Sequence, residues 1–156
     1  MKKILSILLV SVILFSCSDS EIRYHIDETT SPTDTLTFLK LDMKPLNGIM
    51  YCEFGENGKY INGKKEGIHK DWYESGQISS ELEYENGIRT FKKYMKVWYE
   101  DGQLMYDGKY NGDEQYEKSY WLGGIPKHKK IIKGDTIYSE MCWDYDGTEI
   151  NCEKNY

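Results

Sequence analysis

The run Trp72-Tyr73-Glu74-Ser75-Gly76-Gln77-Ile78 returns as Trp98-Tyr99-Glu100-Asp101-Gly102-Gln103-Leu104, and the Tyr84-Glu85-Asn86-Gly87 after the first copy is answered by Tyr110-Asn111-Gly112. A self-copy of this length implies a repeated supersecondary unit. The turn formers show what kind. Asn62-Gly63, Ser75-Gly76, Asn86-Gly87, Asp101-Gly102 and Asn111-Gly112 stand about 10 to 15 residues apart, the spacing of β-turns in a meander. Asn-Gly and Asp-Gly favour tight hairpins, where both central residues need positive φ. Between these turns the chain alternates: Ile78, Leu82 and Tyr84 share one face against Gln77, Ser79, Glu81 and Glu83, and Leu104, Tyr106 and Tyr110 oppose Met105, Asp107 and Lys109. Each unit is then a hairpin with one half-buried face. A lone hairpin is marginal in water, so neighbours must stack. The expected fold is all-β, an elongated antiparallel single-layer sheet of stacked β-hairpin repeats over residues 35–156.

Asn62-Gly63-Lys64-Lys65-Glu66-Gly67, then Trp72-Tyr73-Glu74-Ser75-Gly76-Gln77, then Tyr84-Glu85-Asn86-Gly87 resembles the MORN-variant repeat of the YwqK-type family, whose units read roughly NGKxxG, WYxxGQ and Y-x-NG. Weaker copies flank the two close ones, at Asn47-Gly48 to Tyr60, at Trp121-Leu122-Gly123-Gly124 and at Trp143-Asp144-Tyr145-Asp146-Gly147. The flanking copies depart from the pattern as terminal caps do. The resemblance implies a non-catalytic interaction module of the kind found in envelope proteins and in proteins named as antitoxins.

At the start, Lys2 and Lys3 precede an apolar run from Ile4 to Phe15. It is too short to span a bilayer as a stable helix and reads as a secretory leader, residues 1–16. Leu14-Phe15-Ser16-Cys17 resembles a bacterial lipobox, which makes Cys17 the lipidated residue; an ordinary leader with an incidental cysteine is the alternative. Several acyl chains anchor a protein stably without crossing the membrane. Asp19 resembles an inner-membrane retention signal, whereas Ser18-Asp19-Ser20-Glu21 also resembles an acidic surface-export tag; the outer envelope is favoured. Residues 17–34, rich in Ser, Thr, Asp and Glu, read as a flexible tether. Thr35 to Leu41 reads as a first strand. The formal net charge is −6, and loss of Lys2 and Lys3 makes it more negative. Nucleic acid is therefore not an expected partner.

Besides Cys17 there are Cys52, Cys142 and Cys152. Export favours a disulfide, and Cys142 and Cys152 flank Asp146-Gly147, where a short loop would set them opposite one another; reduced, buried cysteines are the alternative. The chemistry-bearing signals are few. His25, His69 and His128 have no second ligand at metal spacing in their own element and read as surface histidines. Asp144, Asp146, Gly147 and Glu153 have the spacing of a calcium loop, but the first position is Cys142 and the flanks are strand-like. The many carboxylates would stand on an open surface where nothing raises a pKa. No metal, cofactor or enzymatic activity is expected.

Fourteen Tyr and four Trp are the remaining signal. Trp72, Tyr73, Tyr84, Trp98, Tyr99, Tyr106 and Tyr110 recur in register. Either they cover a sheet that lacks a second layer, or they form an exposed platform for a protein or glycan. Lys127-His128-Lys129-Lys130 with Lys133, beside Pro126, reads as a charge-guarded edge strand or a small docking patch. The functional expectation is a lipid-anchored scaffold or protein-interaction module of the cell envelope. Its rivals are an antitoxin or immunity protein that masks a toxin, and a glycan-binding envelope protein.

Overall fold

The computed structural model describes residues 21–90 and 94–154; the leader and Cys17 lie outside the described residues. In chain order the elements are β1 (Arg23–His25), a 3-10 turn (Ile26–Glu28), β2 (Thr29–Thr33), β3 (Leu36–Leu39), β4 (Gly48–Cys52), β5 (Gly55–Ile61), β6 (Lys64–Trp72) and β7 (Ile78–Glu85). There follow β8 (Ile88–Arg89), β9 (Tyr94–Trp98), β10 (Leu104–Asn111), β11 (Glu114–Tyr120), β12 (Pro126–Lys133), β13 (Thr136–Trp143), β14 (Glu149–Ile150) and a second 3-10 turn (Cys152–Lys154). The fold is all-β. Twelve strands form one sheet in the order β1-β4-β5-β6-β7-β9-β10-β11-β12-β13-β14, with β8 also on β7, and β2 and β3 pair separately. Apart from the parallel pair β1–β4, every neighbour in the large sheet is antiparallel. Strands lie about 4.8 Å apart, so the sheet extends roughly 50 Å along its hydrogen-bonding direction.

Two kinds of turn alternate. At one end, two-residue turns join β5 to β6 and β7 to β8; Asn62 (φ +51) and Gly63 (+77), like Asn86 (+54) and Gly87 (+82), take the paired positive φ expected of Asn-Gly. Asn111 instead closes its strand opposite Glu114, which moves the turn to Gly112-Asp113. At the other end the loops are three residues long. Gly76 N–H donates to Tyr73 O (2.9 Å) while Tyr73 N–H donates to Gln77 O (2.8 Å), and Tyr99, Gly102 and Gln103 repeat this at 2.9 and 2.8 Å. Here only the glycine is left-handed, so Ser75-Gly76 and Asp101-Gly102 belong to bulged turns rather than tight two-residue ones.

The segment read as a flexible tether is folded from Arg23 onward. β1 hydrogen-bonds to β4, Arg23 Nη1 reaches Glu56 Oε2 (3.3 Å), and Lys59 pairs with Glu21. Low apolar content pointed to disorder, but threonine suits strands and its hydroxyls are satisfied locally: Thr29 Oγ1 donates to Ile26 O (2.8 Å), and the Ser31 and Thr37 hydroxyls meet at 2.8 Å. The β2–β3 hairpin docks on the Asn62-Gly63 turn through a closed cycle. Thr37 N–H donates to Gly63 O, Gly63 N–H to Leu46 O, and Leu46 N–H to Thr37 O, all at 2.8–2.9 Å. A side chain at Gly63 would stand 2.7 Å from Thr37 O, so the close approach requires glycine. Leu46, at 0 % exposure, is the most buried of the described residues. This is the N-terminal cap of the sheet.

Two further expectations are corrected. β12, with its lysines, is an interior strand between β11 and β13, not an edge. Three of its lysines are met within the sheet: Lys130 Nζ lies 3.6 Å from Glu140, Lys133 Nζ 2.9 Å from Glu114, and Lys127 Nζ 4.3 Å from the Trp121 ring. Pro126 is tolerated because it opens the strand. His69 is not on the surface. At 3 % exposure it stands edge-on between Tyr60 (5.0 Å) and Tyr84 (5.3 Å), beside buried Leu82. Its Nε2–H donates to the Lys59 carbonyl (2.8 Å), and the other side of the ring fills the space left by Gly58, where a Cβ would meet it at 2.6 Å.

Burial holds His69 neutral, lowering its pKa from 6.5 to about 4 against the opposing hydrogen bond to Lys59. The unfolded chain takes up this proton near pH 6.5, whereas the folded chain resists it down to about 4. Stability present above pH 6.5 is therefore lost as pH falls through that window, by on the order of 3 kcal/mol. Urea midpoints measured from pH 7 to 4.5 should fall more steeply for the native chain than for His69→Gln; parallel slopes would contradict a buried neutral imidazole.

Candidate functional site

The WYxxGQ motif builds a ridge of turns along one long side of the sheet, and the structure shows what each residue of the motif does. The Tyr73 hydroxyl donates to Trp98 O (2.7 Å) in the next unit, and Tyr99 donates likewise to Tyr120 O (2.9 Å). In the third unit tryptophan replaces tyrosine, and Trp121 Nε1 donates to Trp143 O (3.0 Å). Each unit is thus fastened to the backbone of its successor, 21 to 25 residues on. The residue after the glycine makes a second link. Gln77 lies over Gly102, where a Cβ would stand 3.2 Å from its Oε1; Gln103 Oε1 accepts from Gly123 N–H (2.6 Å); and Ile125 packs on Gly147. Phe54, in the β4–β5 turn, lies over Gly76 in the same way.

All seven aromatics picked out by the repeat are half-buried rather than laid out as an exposed platform. Trp72 covers Gly55, whose added Cβ would meet the indole at 2.9 Å. Tyr84 packs on His69 and carries Lys65 Nζ 4.8 Å above its ring. Trp98 supplies the carbonyl that Tyr73 uses. Tyr106 folds over Gly108 in its own strand, and Tyr110 donates to Glu117 (3.0 Å). The hydroxyls of Tyr73, Tyr99 and Tyr110 are committed within the sheet. The exposed apolar side chains of the ridge are others: Phe54, Leu122 and Tyr145, the last at 78 % exposure. They are interspersed with exposed Glu53, Glu74, Glu100, Asp101 and Asp146. Repeat register picks out the aromatics that recur, whereas the exposed apolar side chains vary from turn to turn: Glu74 and Glu100 give way to Leu122 and Tyr145.

On the sheet face the Glu81 carboxylate is paired. Glu81 accepts from the Tyr94 hydroxyl (2.7 Å) and from Lys70 (3.4 Å). Asp144, read as part of a calcium-like spacing, instead caps its own turn, accepting from Asp146 N–H (3.2 Å) and Thr148 N–H (3.0 Å).

At the C-terminal end Cys142 and Cys152 are bonded, with Cα atoms 5.3 Å apart. They are not cross-strand partners, as the hairpin spacing had suggested. Cys142 pairs with Ile150, and Cys152 is brought back by the closing 3-10 turn. His128 lies opposite Cys142 on β12, its Nε2 2.9 Å from Glu140 Oε1. That hydrogen bond holds the Glu140 carboxyl below the usual range. Ser119, Trp121, His128, Trp143, Tyr145 and the disulfide line an open cavity of about 680 Å³. Among the described residues Cys52 is the free cysteine. No family model, no curated protein sequence and no solved structure matches the chain.

If the tyrosines fasten units together, Tyr99→Phe should lower the free energy of unfolding by about 1 kcal/mol, the net value of one such hydrogen bond. Thermal or urea unfolding checks this. An unchanged stability would return Tyr99 to the pool of recognition residues.

Proposed function

We propose that this chain is a non-enzymatic, membrane-anchored interaction module that recognises a protein partner along its ridge of turns. The observation that carries the reading is the ridge itself. Its turns are locked side by side by side-chain-to-backbone bonds and present Phe54, Leu122 and Tyr145 among carboxylates. A rigid, preorganised surface with large apolar contacts inside a charged rim needs little ordering on binding. Its acidic character favours a partner whose facing surface is basic. The leader, the lipobox-like Leu14-Phe15-Ser16-Cys17 and the likeness of the repeat to MORN-variant units support an envelope lipoprotein, held at the outer envelope through Cys17.

Two experiments test the two halves of this reading. Cys17→Ser should release the chain from the membrane fraction and abolish acyl labelling; retention in the membrane would end the lipid-anchor proposal. For the ridge, in-cell cross-linking of the tagged chain followed by mass spectrometry should recover a protein in stoichiometric amount. Leu122→Ser combined with Tyr145→Ser should reduce that capture at least tenfold with unchanged thermal stability. Undiminished capture by the double variant would move recognition off the ridge, and recovery of polysaccharide alone would favour glycan binding.

A further inference from the structure

The C-terminal cap holds a constellation that neither the repeat architecture nor the interaction reading uses. A ring nitrogen of His128 and the sulfurs of Cys142 and Cys152 all lie within 4.8 Å of one another. Three separate elements bring them there. His128 and Cys142 are register partners on β12 and β13 and so project from the same face. Cys152 arrives from the other side, on the 3-10 turn that follows β14. We propose that, once the disulfide is reduced, these three side chains form a binding site for a thiophilic divalent cation such as Zn2+, so that the cap is closed either by a sulfur–sulfur bond or by a metal.

The donor set is right for this ion. Two thiolates, one imidazole and a position open to solvent make a tetrahedral site. With Zn–S bonds of about 2.3 Å the sulfurs must part to about 3.8 Å, and the imidazole must close on both. Cys142 is fixed in an interior strand, whereas Cys152 sits on a terminal turn that can rotate to make this adjustment. The imidazole is already anchored on one side. Glu140 receives its Nε2 proton at 2.9 Å, leaving Nδ1 with the free lone pair, which is the carboxylate–histidine arrangement that orients metal ligands. The cavity of about 680 Å³ beside the cluster leaves room for water as the fourth ligand. A structural disulfide by itself needs neither the histidine nor its carboxylate.

The conversion balances with a dithiol as reductant. The Cys142–Cys152 bond takes two electrons and two protons from the dithiol, which becomes a disulfide; the two resulting thiols then lose two protons as the cation binds. The oxidised cap offers a single nitrogen ligand and should not hold the ion.

The test uses the full-length chain in mild detergent, with Cys17→Ser and Cys52→Ser to remove the competing thiols. Cobalt(II) serves as the spectroscopic probe. After anaerobic reduction, one equivalent of cobalt should give tetrahedral ligand-field bands with thiolate charge transfer, displaced by Zn2+. The same chain with the disulfide intact should give neither. Glu140→Ala should weaken binding by about tenfold or more, the usual effect of losing a carboxylate behind a ligating histidine. Far-UV circular dichroism keeps loss of folding apart from loss of a ligand, and the comparison of reduced with oxidised native side chains needs no variant at the site. Absence of thiolate charge transfer in the reduced, folded chain would overturn the proposal. So would charge transfer that persists undiminished in Cys142→Ser.

Discussion

A sheet that has no second layer must hold itself together in its own plane. Among the described residues only Leu46, Tyr60, Leu82 and Cys142 are apolar and buried, too few for an opposing layer to carry the fold through apolar burial. The structure answers with links between successive units. Tyr73, Tyr99 and Trp121 each reach the backbone of the following unit, and Gln77, Gln103 and Ile125 each rest on its glycine turn. Stability in such an array is a sum of nearest-neighbour terms, so the interface between units matters more than any central core.

This constraint explains the unusual aromatic content. Tyrosine supplies in one side chain a flat face to cover the sheet and a hydroxyl to bond across a unit boundary. It also explains the glycines opposite the rings. Gly55 accommodates Trp72, Gly58 accommodates His69, and Gly108 accommodates Tyr106. Each ring can approach this closely because the residue beneath it has no side chain. Leu122 and Tyr145, exposed on the ridge, make none of these links and are therefore available for recognition.

Both ends of the array are closed by structure that departs from the repeat. At the N-terminal end, the β2–β3 hairpin completes the hydrogen bonds of the Asn62-Gly63 turn and buries Leu46. At the C-terminal end, β14 is only two residues long, and the Cys142–Cys152 link fastens the chain behind it. Short and covalently closed ends limit edge-to-edge pairing.

The repeat, the strand alternation and the positions of the turns were legible in the sequence because they are local. Glycine's freedom at positive φ and the two-residue period of a strand act within a few residues of where they are written. Asn62-Gly63 and Asn86-Gly87 take the backbone form their residue types demand. Tertiary structure alone decided the rest. The segment read as a tether folds because β4 offers an edge to β1 and β3 pairs with the Thr-rich β2, β12 lies inside the sheet because β13 covers it, and His69 is buried because Tyr60 and Tyr84 close on it. Likewise His128 meets two cysteines from separate segments. Each of these outcomes depends on a partner from a separate strand or turn, and no local pattern of residues states which partner that is.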